Sequence, residues 1–238
     1  MKSALDKFAL WRKWTIYCAS GELIGIGIAG AIAFAVNTII GEPETLPAKF
    51  FVLLCMLIAG SMEGYLLGTF QWHVLKDKFA ALPKREWVFY TVLVSVLGWF
   101  LGMLPSLFFI SNNDVTPTSS IDFEDPIVFA VLSIGSGLVL GSVFGLAQWF
   151  SLRQYAEAAY KWIIANALGW GLGLGWIYLF ASLPTEQTSL TFNIMMGVIG
   201  GLLAGLSVGS VTGIFLVRMK EQNGQTLFTN PENDHVVK

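Results

Sequence analysis

Apolar residues fill this chain in six long runs, separated by short polar or proline-containing joints. The runs are Thr15–Ile40, Lys49–His73, Trp87–Ile110, Pro126–Leu152, Lys161–Ser182 and Asn193–Val217. Each is long enough to cross about 30 Å of hydrocarbon at about 1.5 Å per residue, so the pattern predicts six transmembrane helices. The joints carry helix breakers. Pro43 and Pro47 lie between the first two runs, and Pro184 follows the fifth. Asp125-Pro126 reads as an N-cap followed by proline at the first helical position. Pro105 predicts a kink or stop near the end of the third run.

Composition agrees with a bilayer as solvent. Of 238 residues, 55% are hydrophobic and only 13% charged, too few to cover one soluble domain of this size. Disorder is excluded over most of the length. Nucleic-acid binding is excluded by a net charge of −2 without a basic stripe. Cys18 and Cys55 fall inside apolar runs and read as small packing residues, with no zinc spacing. The histidines, His73 and His235, cannot form the membrane pair that holds a haem or chlorophyll. No cofactor and no metal is expected.

Charge placement predicts orientation. Lys2, Lys7, Arg12, Lys13, Lys76, Lys78, Lys84, Arg85, Arg153, Lys161, Arg218, Lys220 and Lys238 fall on one side of the predicted topology, and Lys49 alone on the other. By the positive-inside rule both termini are cytoplasmic. The opposite loops are acidic or neutral, the longest being Ser111–Asp125. Ala33-Phe34-Ala35 resembles a signal-peptide cleavage site, but the apolar stretch before it is too long and contains Glu22. The first run is therefore expected to stay as a span.

The chain also repeats itself. Trp14, Trp87 and Trp162 each follow a charged residue and open an outward-going run, 73 and 75 residues apart. The returning runs match as well. Gly64-x3-Gly68-x2-Gln71-Trp72-x2-Leu75-Lys76 is echoed by Gly141-x3-Gly145-x2-Gln148-Trp149-x2-Leu152-Arg153, and more loosely by Gly205-x3-Gly209-x2-Thr212-Gly213. Leu97-Gly98-Trp99 likewise matches Leu168-Gly169-Trp170. The expected fold class is all-α membrane: six transmembrane helices as three tandem two-helix hairpins with approximate threefold pseudosymmetry. The units are an N-terminal segment 1–14, hairpins 15–76, 77–153 and 154–218, and a polar tail 219–238.

The pattern Gly-x3-Gly-x2-Gln-Trp-x2-Leu-Arg, followed by Trp-Ile-x-Ala-Asn-x2-Gly-Trp, resembles a group of bacterial, often cyanobacterial, polytopic membrane proteins. The match is best from Gly137 to Gly173. The resemblance implies this topology and a bacterial plasma or thylakoid membrane, and brings no activity with it.

Glycines recur four apart at Gly60, Gly64 and Gly68, at Gly137, Gly141 and Gly145, and from Gly197 through Gly201, Gly205 and Gly209 to Gly213. Such ladders let helix backbones approach closely in lipid. Trp11, Trp14, Trp72, Trp87, Trp149 and Trp162 lie near helix ends on the basic side and read as an interfacial belt. Gln71, Gln148 and Asn166 are expected to cap or cross-link helix ends at that level.

Glu22 and Glu63 are the two acids deep within the runs. Glu22 lies eight residues from Trp14 and Glu63 nine from Trp72. If those tryptophans are level the acids share a depth, about 12 and 13.5 Å along their helices; measured from Lys13 and Lys76 the agreement loosens to about 6 Å. No Lys or Arg lies there to pair with them, so each is protonated, hydrogen-bonded to Ser20, Ser61 or a carbonyl, or holding a cation. The matching positions in the other hairpins are Leu140 and Ala204, so the repeat itself does not require an acid.

No rhomboid, phosphate-loop, paired-histidine or Glu-Glu protease signature occurs, and no enzyme is expected. Two functions remain. The first is a non-enzymatic scaffold, assembly factor or accessory subunit, whose partners are the lipid bilayer and other membrane proteins. The alternative is a small proton- or cation-linked transporter or channel using Glu22 and Glu63, with a small ion or solute as partner.

Overall fold

The computed structural model describes residues 2–109, 125–185 and 187–222. It is all-helical, with α1 (Lys2–Ile40), α2 (Leu46–Leu75), α3 (Lys84–Leu104), α4 (Pro126–Leu152), α5 (Lys161–Ala181) and α6 (Leu190–Arg218). All six are long and apolar enough to cross a membrane. Among the described residues there is no strand, only an isolated bridge between Ala156 and Glu221. Most of the acidic loop Ser111–Asp125, and the tail beyond Gln222, lie outside the described residues.

Local chemistry explains the helix ends. Gly41 ends α1 with φ +68°, its N–H donating to the Asn37 carbonyl at 2.8 Å. Only glycine adopts that left-handed cap without strain. Asp125 Oδ1 accepts from the N–H groups of Ile127 and Val128, capping α4 as its sequence predicts. Ser189 Oγ caps α6 through Phe192 N. At Pro105 the chain does not stop. It widens into one π-helical turn, Pro105–Phe109, because proline offers no N–H to the α ladder.

The largest boundary difference from the sequence reading is at the start of α1. The segment before Trp14 is helical, and α1 runs unbroken from Lys2. Its Ala, Leu, Lys and Arg residues are good helix formers, with no breaker among them. Leu5 and Phe8 on this extension are exposed.

The helices form a closed ring in chain order, with α1 packed against α6. The α3–α4 seam is much sparser than the others. Most of the seams are glycine contacts. A Cβ at Gly64 of α2 would fall 2.8 Å from Val92 Cα of α3. One at Gly145 of α4 would fall 2.5 Å from Ile163 Cα of α5, and one at Gly205 of α6 2.7 Å from Ala19 Cα of α1. Gly197, at the far end of α6, faces open space instead.

Packing is uneven along the ring axis. At the end carrying the basic loops, Trp14, Leu75, Phe79, Trp87, Leu152, Trp162 and Leu216 form one fully buried cluster. Toward the other end the helices splay. They leave an α1–α6 groove of about 480 Å³ and an α4–α5 groove of about 560 Å³.

Candidate functional site

Each helix contributes to the axis at steps of about one turn, so the interior is layered. On α2 the order from the basic end is Leu75, Gln71, Leu67, Glu63; on α4 it is Leu152, Gln148, Phe144, Leu140. The outermost of these layers is the aromatic cluster already described.

The second layer is polar and hydrogen-bonded. Gln148 Nε2 donates to Gln71 Oε1 and to Thr91 Oγ1, both at 3.0 Å. Gln148 Oε1 accepts from Trp162 Nε1 at 2.9 Å. Trp14 Nε1 donates to Thr212 Oγ1 at 2.8 Å, and Asn166 Nδ2 to the Trp162 carbonyl at 3.0 Å. Gln71 Nε2 reaches Cys18 Sγ at 3.8 Å. Gln71 and Gln148 thus join different helices from inside the ring, whereas Asn166 bonds back within α5 and Trp87 Nε1 has no partner among the described residues.

The tryptophans divide into two sets. Trp14, Trp87 and Trp162 are fully buried and meet edge to face, with centroids 5.6 and 6.0 Å apart around Trp162. They point inward rather than to the headgroup layer, so the belt reading is corrected for Trp162 and its two counterparts. Trp72 and Trp149 are half-buried at helix ends. Lys76 and Lys84 lie over the Trp72 ring, and Arg153 over the Trp149 ring.

Beyond a third, apolar layer that includes Leu67, Val94, Phe144 and Val208, the ring holds a cavity of about 330 Å³. Glu22 and Glu63 both line it, 2% and 7% exposed. They are offset by about one turn, since Gly25, one turn on from Glu22, packs directly on Glu63. Glu63 Oε2 accepts from Trp99 Nε1 at 2.6 Å. Glu22 Oε1 is buried without a partner among the described residues, and so is Ser95 Oγ, which lines the same cavity. The rest of the lining is apolar or aromatic, including Phe144 stacked on Trp170 at 4.9 Å. No Lys, Arg or His lines it. A second cavity of about 380 Å³ shares Ile26, Trp99 and Met103 with the first and reaches Asn37 and Gly41, at the end away from the basic loops.

Comparison with protein-family models, curated proteins and solved structures finds no match.

The site is therefore read from its own residues. Ser61 does not serve Glu63 but bonds back to the Leu57 carbonyl. Trp99 takes that role, and Ser95, Phe144 and Trp170 complete the lining. A signal for two of them was present: Trp99 and Trp170 are the matched residues of the Leu-Gly-Trp repeat, and both line the cavity. Among the described residues no three His, Cys, Asp or Glu side chains come together as a metal site.

Proposed function

We propose that this integral membrane protein is a small transporter that exchanges protons or a cation at Glu22 and Glu63. The observation that carries the reading is their shared cavity. Two carboxyl groups line one chamber, no basic residue lines it, and Glu22 Oε1 is unpartnered among the described residues. Buried acids without a base hold protons or a cation, and alternation between the two is the chemistry of coupled exchange. Three packed layers separate the chamber from the basic end, while the second cavity continues toward the other end. A chamber closed on one side and continued on the other supports alternating access.

In this reading the basic end and both termini face the cytoplasm of a bacterial plasma or thylakoid membrane. The ring is assembled from three related hairpins, approximately threefold, joined through glycine ladders. The scaffold or accessory-subunit reading explains the tight basic end but gives the acid chamber no task. No catalytic step is involved.

The test is flux in proteoliposomes. Wild-type chain and the E22Q/E63Q variant are compared for proton, sodium and potassium movement under imposed gradients. Flux that needs the two carboxyls is the expected result. Equal flux in both proteins, or none in either, overturns the reading, and a stoichiometric co-purifying membrane protein would then favour the scaffold.

A further inference from the structure

We propose that the central cavity binds a lipophilic organic cation, a quaternary or protonated amine with an aromatic body, in exchange for protons of Glu22 and Glu63. The proposal rests on the exchange reading above and names its substrate class. As the cation enters, a carboxyl group releases its proton to water on the cavity side, and the carboxylate left behind balances the cation's charge. No covalent bond of the substrate changes.

Three features select this class. The first is charge without a resident partner. Glu22 and Ser95, 2% and 3% exposed, each keep a buried oxygen unpartnered among the described residues, and both line the chamber. A hard inorganic cation wants six or more oxygens, as Ca²⁺ and Mg²⁺ do. The chamber offers two carboxyl groups, one of them bonded to Trp99, and the hydroxyls of Ser95 and Tyr178 among apolar side chains. An onium ion needs fewer oxygens and gains from apolar contact.

The second feature is aromatic surface. Trp99, Phe144, Trp170 and Tyr178 line the chamber, and its volume of about 330 Å³ suits a small organic molecule. Cations bind aromatic faces, best those of tryptophan.

The third is the opening. At the sparse α3–α4 seam, Gly98 meets only Leu140, and Gly102 has nothing within 4 Å of where a Cβ would stand. Both glycines line the chamber, and nearby Leu101 and Val139 are exposed. An opening flanked by leucine and valine admits solutes that partition into lipid, which lipophilic cations do and hydrated metal ions do not.

The probe is radiolabelled benzyltrimethylammonium, bound to the full-length chain in phosphatidylcholine nanodiscs. Neopentylbenzene, its neutral carbon isostere, is the competitor. Saturable binding is expected, and it weakens as pH falls because protons compete for the same carboxyls. Glu22 and Glu63 are the acids that face the site; Tyr178 across the chamber and Cys18, one turn toward the basic end, are the other titratable groups nearby.

E22Q/E63Q should lower affinity about thirtyfold or more, the usual effect of truncating a buried charge partner. Gly102→Leu fills the opening without touching an acid and should slow association about tenfold, about 1.4 kcal/mol in the barrier. Absence of saturable binding, equal affinity in E22Q/E63Q, or equal competition by neopentylbenzene overturns the proposal. If E22Q/E63Q does not fold, Gly102→Leu decides, and unchanged association overturns it. Carboxyl-dependent proton or sodium flux without benzyltrimethylammonium binding would overturn the substrate class alone. Absence of both would overturn the exchange reading with it.

Discussion

The indole N–H of Trp162 donates to Gln148 Oε1 at 2.9 Å, whereas that of Trp87, edge-on to the same Trp162 ring, has no partner among the described residues. Both side chains are fully buried. Trp→Phe removes similar packing at each site but a hydrogen bond only at Trp162, leaving Gln148 Oε1 short of a donor. Thermal unfolding in detergent should show W162F less stable than W87F by about 1 kcal/mol. Equal losses would mean that the glutamine layer adds nothing to stability.

Glycines within one periodic pattern should differ in cost. A Cβ at Gly141 meets the Asn166 carbonyl of α5, whereas Gly197 faces open space. Gly141→Ala is expected to destabilise by about 1–3 kcal/mol, because backbone has to move. Gly197→Ala should be neutral or stabilising by up to about 1 kcal/mol through helix propensity. Unfolding midpoints of the two variants check this directly.

Lys78, half-buried in the α2–α3 loop, donates from Nζ to the Leu216 carbonyl at 2.6 Å, at the end of α6. Burial first, and then the positive charge of Lys7, hold its pKa below the ordinary lysine value of 10.5. Rising pH therefore takes the proton from the folded state before the unfolded one. The cost of the buried charge disappears, and stability rises with pH in the window below 10.5. K78M should lose this part of the slope, and K7Q should shrink it. Unfolding measured from neutral pH up to that value reads the difference. A K78M slope identical to wild type would contradict it.

The two acids should differ in reactivity. Trp99 engages Glu63 Oε2, whereas Glu22 Oε1 is unpartnered among the described residues. Dicyclohexylcarbodiimide, an apolar reagent for protonated carboxyls, should label Glu22 about threefold to tenfold faster than Glu63, the range of one hydrogen bond. Trp99→Phe should raise the rate at Glu63 toward that of Glu22. Mass spectrometry of labelled peptides measures both rates in one sample.

Much of this architecture is legible from the order of residues. Six apolar runs correspond to six helices, and α4 begins and ends at the predicted Pro126 and Leu152. Glu22 and Glu63 stand out because a bilayer leaves an unpaired acid few alternatives. What the pattern missed is direction around the helix axis. Hydropathy reports depth, and a tryptophan beside a basic residue reads as a headgroup anchor. Yet Trp14, Trp87 and Trp162 each lie four residues from a buried partner on the same face, Cys18, Thr91 and Asn166. That spacing marks an inward stripe, and three converging stripes make a plug. The bond from Trp99 to Glu63 was hidden for another reason. It crosses between helices 36 residues apart, and no period within one helix encodes it.

The seam between α1 and α6 has a consequence for the acid on α1. Gly205 packs on Ala19 and Glu22, so α6 backs the stretch of α1 that carries this acid, while the chamber itself is lined by α1 to α5. Helix α1 meets α2 directly after it in the chain, but its other neighbour, α6, follows only after α2 to α5. Until α6 is in place, the face of α1 formed by Thr15, Ala19 and Glu22 lacks the glycine surface that covers it in the ring. Closing the ring at this seam is thus what holds Glu22 in place from behind.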